Sequence, residues 1–321
     1  MEEYREVQAR EAADRERHAV PTSMRALRLH DPGGAESLVL EEIPTPRLEP
    51  GEALVRVHAA AITRDELEWP VERLPAIPSY ELSGVVVATA SGAEGVSLGD
   101  EVFGLTPFDR DGAAAEYVAT PAAVLAPKPR ALTHVEAAAV PLAALSAWQG
   151  LFDHGRLARG ERVSITGPAG GVGHLAVQLA RWRGAHVVGV ASARDRERVR
   201  SLGVDEVVDH GSLGGGAGPV DLVFDTAGGE LLRDSIAVVR DGGRVVSVAE
   251  EPTAATDAPA VAAVYFVVEP NGERLAEVGR LVDAGVLVPA IDSTFDLADA
   301  RKAFARTEAR GKRGKVVLRI A

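Results

Sequence analysis

Apolar and polar positions follow two rhythms along the chain. From Met24 to about Lys128, short apolar runs are separated by Pro and Gly. Residues 53–60 (ALVRVHAA), 82–89 (LSGVVVAT) and 116–119 predict strands, with turns at Pro44, Pro46, Pro50, Gly51, Gly99 and Gly112. That pattern predicts an antiparallel, barrel-like β domain. Residues 135–153 form an alanine-rich helical stretch interrupted at Pro141. Beyond it, short β-branched runs alternate with helical segments. Residues 163–166, 186–190, 206–209, 220–225, 244–249 and 262–268 predict strands of a parallel sheet. Residues 274–284 and 296–307 predict amphipathic helices, and 315–320 a last strand. The fold expected is α/β: a β-barrel domain joined to a doubly wound domain.

The most informative segment is residues 163–192, VSITGPAGGVGHLAVQLARWRGAHVVGVAS. It predicts a strand, a glycine-rich turn, a helix with Val172, Leu175, Ala176 and Leu179 on its apolar face, and a second strand. Such a unit presents bare backbone N–H groups and a helix N-terminus to a pyrophosphate. Gly170, Gly171 and Val172 are therefore candidate cofactor contacts. Pro168 stands where a strict GxGxxG would have its first glycine, with Gly167 just before it.

At the end of the second strand an NAD-binding unit usually carries an acid for the ribose 2′-OH. This chain has Ala191 and Ser192 there, followed by Arg194, Arg196, Arg198 and Arg200. A hydroxyl and guanidinium groups suit a 2′-phosphate, so NADPH is expected over NADH. The alternative for some of these arginines is the solvated face of the next helix, paired with Asp195 and Glu197.

Composition narrows the function. The 321 residues suit two domains, and 46% are hydrophobic, enough for sizeable cores. A formal charge of −12 argues against nucleic acid and anionic membranes as partners. There is no cysteine, which removes disulfides, iron–sulfur clusters, cysteine-based zinc sites and a cysteine nucleophile. HExxH, GxSxG and GxxxxGK are also absent. The first residues, MEEYREVQAREAADRERHAV, lack the apolar stretch of a signal peptide, so a cytoplasmic protein is expected. Residues 1–23 are expected to be a charged extension, disordered or helical.

Taken together, MRALRLHDPGG, PGEALVRVHAAAITRDELEW, IPSYELSGVV, VPLAALSAWQGLF, the glycine-rich segment, LGVDEVVDH, VDLVFDTAGG, GGRVVSV and GKVVLRI carry a resemblance over nearly all of residues 24–321. The chain resembles the zinc-independent medium-chain dehydrogenase/reductases of the quinone oxidoreductase type. The resemblance implies a GroES-like catalytic domain (24–130 and 286–321) with a Rossmann NADP-binding domain (131–285) between its parts. It implies hydride transfer in the cleft. Zinc-dependent relatives carry ligands where this chain has Thr63 and Tyr80, so no metal is expected. Thr63 and Tyr80 are the catalytic candidates, Tyr80 being also suited to barrel packing. Trp69 and Phe108 are candidate pocket walls. On the cofactor, the resemblance implies Ser192, Arg196, His210, Thr226, Phe266, Arg310 and Lys315, although His210 is equally an exposed loop histidine. Asp225 and Gly228 are expected beside the nicotinamide. Arg310, Lys312, Arg313 and Lys315 are expected to form a basic patch, one or two of them on the phosphate. It also implies a homodimer through the strand edge at 262–268.

The expected reaction is hydride transfer from NADPH to a quinone or an activated C=C bond. An NADPH-dependent carbonyl or imine reductase, or a non-catalytic NADPH-binding sensor, are the alternatives.

Overall fold

A computed structural model of the chain describes residues 20–69, 71–212, 218–253, 261–309 and 311–321. Most of the expected 1–23 extension, the middle of the 211–218 glycine loop and Arg310 lie outside the described residues. Among those described, no helix is long and apolar enough to cross a membrane.

The Pro- and Gly-punctuated region forms β1 (Ser23–Leu29), β2 (Leu38–Pro44), β3 (Glu52–Ile62), β4 (Glu81–Thr89), β5 (Glu101–Leu105), β6 (Tyr117–Pro121) and β7 (Leu125–Pro127). β3 is the centre of this domain. It pairs antiparallel with β4 and β6, and its residues 53–55, 57 and 59–62 are fully buried or nearly so. Each Val, Leu or Ile buried in this way contributes roughly 1.5–3 kcal/mol relative to exposure.

The alanine-rich stretch becomes α1 (His134–Ala138) and α2 (Pro141–Trp148). Pro141 does not merely interrupt a helix; it starts one. Its missing N–H is harmless at the first helical position. The expected continuation to residue 153 is instead a wider turn over Gln149–His154. Gly150 permits the approach there, since a Cβ would lie 2.1 Å from the Phe224 ring.

The doubly wound half follows as β8 (Arg162–Thr166), α3 (Gly173–Arg183), β9 (His186–Val190), α4 (Arg196–Ser201), β10 (Glu206–Val208), β11 (Val220–Asp225), α5 (Gly229–Ile236), β12 (Val239–Ser247) and β13 (Ala262–Tyr265). The sheet order is β10-β9-β8-β11-β12-β13, and every pairing is parallel. The order reverses between β8 and β11, the switch point at which such sheets bind ligands. β13 is shorter than expected, ending at Tyr265 rather than residue 268.

After α6 (Gly272–Asp283) the chain returns to the first sheet with β14 (Ile291–Asp296), α7 (Ala300–Glu308) and β15 (Lys315–Arg319). The helix expected from residue 296 is corrected here. Asp296 ends a strand, and the helix proper begins at Ala300. β15 pairs antiparallel with β3 and parallel with β14. The sheet order is β14-β15-β3-β4-β5-β7, with β6 on β3.

Candidate active site

The two sheets meet through one contiguous core, in which Tyr80, Phe103 and Leu105 join α2, α3 and β8. At this junction the glycine-rich turn leaves β8. Gly167 has φ 61°, a left-handed conformation that favours glycine. A Cβ on Gly173 would lie 2.2 Å from the Gly167 carbonyl oxygen, and one on Gly171 would lie 3.0 Å from Lys315 Cδ. Among the described residues the N–H groups of Gly171 and Val172 have no protein acceptor. A bare turn, free N–H groups and the N-terminus of α3 together fit a dinucleotide pyrophosphate.

The ends of β8 and β11 are locked to each other beside this turn. Thr166 Oγ1 donates to Asp225 Oδ1 at 2.5 Å, and Thr226 Oγ1 donates to the Thr166 carbonyl at 2.7 Å. Asp225 also accepts from Ser247 Oγ and the Gly228 N–H. The expectation that Asp225 faces the cleft is corrected: its carboxylate is fully buried and saturated by Thr166, Ser247 and its own loop. Thr226 remains partly open, but its hydroxyl is committed to the strand end.

On the β domain side, three strand ends converge by register. In the β15 ladder Val316 opposes Ile62, which sets Lys315 beside Thr63; in the β4 ladder Glu81 opposes Ala61. Lys315 Nζ accordingly lies 2.9 Å from Thr63 Oγ1 and 2.5 Å from Glu81 Oε2. Both charged side chains are buried, at 4% and 1% exposure. Glu81 Oε1 accepts the Leu142 N–H at 2.8 Å, at the start of α2, where the helix dipole favours an anion. A buried pair is tolerable only when its remaining polar atoms are satisfied in this way.

Thr63 is held from behind as well. Its N–H donates to Glu66 Oε2 at 2.9 Å, while Glu66 Oε1 accepts from the Ser79 N–H at 3.2 Å. Burial pushes the Glu66 carboxyl up to about 8. Asp65 and Ser79, at φ 63° and 67°, are non-glycine residues in the left-handed region on either side of it. Such conformations persist where surroundings over-determine them. A cavity of about 210 Å³ beside Thr63 is lined by Gly33, Asp65, Glu66, Leu67, Phe304 and Thr307 among others, and by none of the glycine-turn residues.

Tyr80 is buried beneath Trp69 and Phe108, with ring centroids 5.8 and 5.1 Å away. Trp69 is 40% exposed, so the aromatic group opens to solvent on one side. The Tyr80 hydroxyl lacks a hydrogen bond of good geometry. Burial pushes its pKa up to about 12, so the hydroxyl keeps its proton at neutral pH. Arg73 donates to the Phe108 and Arg110 carbonyls and fastens this wall.

The expected phosphate patch divides. Arg313 Nε donates to Asp195 Oδ1 at 3.0 Å and its Nη2 to the Arg194 carbonyl, so Arg313 joins the end of β9. Ser192 Oγ donates to Asp195 Oδ2, and Arg196 pairs with Asp209. Acids are thus present near this strand end, each matched by a cation. His210 is exposed. Lys312 sits between the groups, its ammonium pushed down to about 8 by burial and then by Lys315 and Arg64. Lys315 leaves the patch altogether for Thr63. Phe266 is buried past the end of β13, 4.4 Å from the His154 ring. Among the described residues no group of three His, Cys, Asp or Glu side chains could hold a metal.

The Glu81–Lys315–Thr63 group went unread in the sequence as a unit. Its signal was two opposite charges, each opening a largely apolar strand run, ELSGVVV and KVVLRI.

Comparison with known proteins agrees with this architecture. Residues 49–130 match the alcohol dehydrogenase GroES-like domain family, and residues 202–318 match a family described as zinc-binding dehydrogenase. A probable zinc-binding oxidoreductase, mitochondrial, of Arthroderma benhamiae is 33% identical, covering 94% of this chain and 98% of the relative. The 2-methylene-furan-3-one reductase of Solanum lycopersicum is 32% identical, covering 94% and 80%. The solved quinone oxidoreductase of Coxiella burnetii superposes with a TM-score of 0.87 at 30% identity, covering 93% and 100%. The chain belongs to the medium-chain dehydrogenase/reductase family of oxidoreductases.

Proposed function

We propose that the chain is an NADPH-dependent reductase of quinones or activated C=C bonds that works without a metal. The observation carrying this reading is that the bare glycine turn and the Thr63 hydroxyl are joined by a single side chain. Lys315 packs its stem over Gly171 and places its ammonium on Thr63. A phosphate cradle and a polarised hydrogen-bond donor therefore share one cleft. The names of the tomato relative and of the NADPH-dependent alkenal/one oxidoreductase of Arabidopsis thaliana, 31% identical, point to C=C reduction in similar chains.

A bound dihydronicotinamide supplies the hydride. The N–H groups of Gly171 and Val172 would hold the pyrophosphate, and Ser192, Arg196 and Arg313, now paired with Asp195 and Asp209, would hold the 2′-phosphate. A flat acceptor stacks on the open side of Trp69, which Tyr80 and Phe108 back from within. Thr63 donates to the acceptor oxygen, on which negative charge grows. Enones and quinones already withdraw electrons, so orientation and a neutral donor suffice. Alcohol oxidation would require removal of a hydroxyl proton, and the carboxylates nearest Thr63 are buried and committed elsewhere, Glu66 to the Thr63 and Ser79 N–H groups and Glu81 to Leu142 and Lys315.

We place the protein in the cytoplasm as a homodimer joined through the exposed edge of β13. Steady-state NADPH oxidation across enones, quinones, ketones and imines tests the activity. Turnover with enones or quinones, unchanged by chelator, is expected. Turnover confined to ketones or imines would replace the proposed acceptor class.

A further inference from the structure

We propose that Lys315 is a positioning residue that makes Thr63 a one-way hydrogen-bond donor toward the acceptor oxygen. This rests on the reading of the cleft as a reductase site. A hydroxyl has one donor and two acceptor sites, whereas an ammonium only donates. With Lys315 Nζ at 2.9 Å, one Thr63 acceptor site is filled from inside the protein. The Thr63 Oγ1 proton must then point elsewhere, and no acceptor for it exists among the described residues. Thr63 is only partly buried, so the cleft is where that proton is offered.

The ammonium cannot swing away. It is fixed by Glu81, whose other oxygen is fixed by Leu142 at the start of α2. The Thr63 backbone is fixed in turn by Glu66. The assembly runs from a helix N-terminus through a carboxylate and an ammonium to one hydroxyl. Its members come from β4, β15, α2 and the end of β3, so it costs little reorganisation when charge develops.

In enone reduction a bound dihydronicotinamide would give up the hydride of its C4–H bond, with both electrons, to the β-carbon and be left oxidised. The C=C pair shifts to the α-carbon and carbonyl, giving an enolate. Its oxygen accepts from Thr63 Oγ1, backed by the Lys315 cation, and water supplies the proton that completes the product at the α-carbon. Atoms and electrons balance without ionising Thr63.

The test uses para-nitrophenol, whose phenolate imitates the enolate oxygen and whose absorbance reports its ionisation. It is titrated on the protein with NADP⁺ present. The native protein should bind the phenolate, lowering the probe's pKa by about one unit or more, a tenfold preference. Thr63→Val and Lys315→Met should return it to the free value, and Lys315→Arg should keep most of the shift. Circular dichroism and NADPH fluorescence check folding and cofactor binding in each variant. No shift in the native protein, or an undiminished shift in Lys315→Met, overturns the inference. Should Lys315→Met not fold, a shift kept in Lys315→Arg and lost in Thr63→Val supports it, and one surviving in Thr63→Val overturns it. Enone turnover without any phenolate shift would overturn the positioning role and spare the proposed function. A Lys315-dependent shift without turnover of any acceptor would do the reverse.

Discussion

His174, in the first turn of α3, accepts the N–H of Ala290 at 3.0 Å through Nε2, while its Nδ1 lies 2.9 Å from the Gly170 carbonyl. One neutral imidazole thereby ties the glycine-rich turn to the segment leading into β14. Burial, the largest cause, pushes its pKa down to about 4 from the usual 6.5. Below 6.5 the unfolded chain takes up a proton that the folded chain refuses. The stability from this group is complete above 6.5 and is lost as pH falls through about 4, at most about 3 kcal/mol. Melting midpoints between pH 7.5 and 4 should fall more steeply for the native chain than for His174→Gln. Parallel curves would contradict this.

The glycine turn leaves no room for a methyl group. Gly173→Ala places a Cβ against the Gly167 carbonyl, and overpacking of this kind costs about 1–3 kcal/mol. NADPH binding should weaken together with stability. A variant that melts and binds as the native protein does would show that the turn has a different shape.

Cofactor choice is expected to depend on exchange of carboxylates for phosphate. Arg196→Ala should weaken NADPH more than NADH, by about 1–3 kcal/mol for a charge-assisted bond. Asp209→Asn, which frees Arg196 from its partner, should tighten NADPH. Fluorescence titration of both cofactors measures this, and equal changes for NADPH and NADH would remove Arg196 from the 2′-phosphate site.

Much of this was legible locally. The β8–α3–β9 unit was expected residue for residue within one position, because its glycines, apolar face and β-branched runs lie within thirty residues. What depends on distant pairing was not. β14, IDSTFD, has two apolar residues in six and is a strand because β15 lies beside it, itself held by β3. Nothing near residue 315 foretells Thr63, 252 positions earlier; the ladder register brings them together. Likewise Asp225 and Thr226 occupy the expected strand end, but hydrogen bonds to Thr166 across the switch point turn them to structural work.

The edge of β13 carries Tyr265 at 44% exposure, and Val267 just beyond it is 60% exposed. An apolar edge of this kind is a template for a second copy across a two-fold axis. Light scattering at micromolar concentration should give a dimer, and Ala263→Pro, which removes an N–H from the free edge of β13 and leaves the bonds to β12 in place, should give monomers. A native monomer would end the proposal.

Transfer of deuterium from NADPH labelled at C4 tests the central claim most directly. With chelator-treated protein and an enone, mass spectrometry of the product should find the label on the β-carbon and the carbonyl intact. Label on the carbonyl carbon, or an unlabelled and unreacted enone beside tightly bound NADPH, would contradict the account.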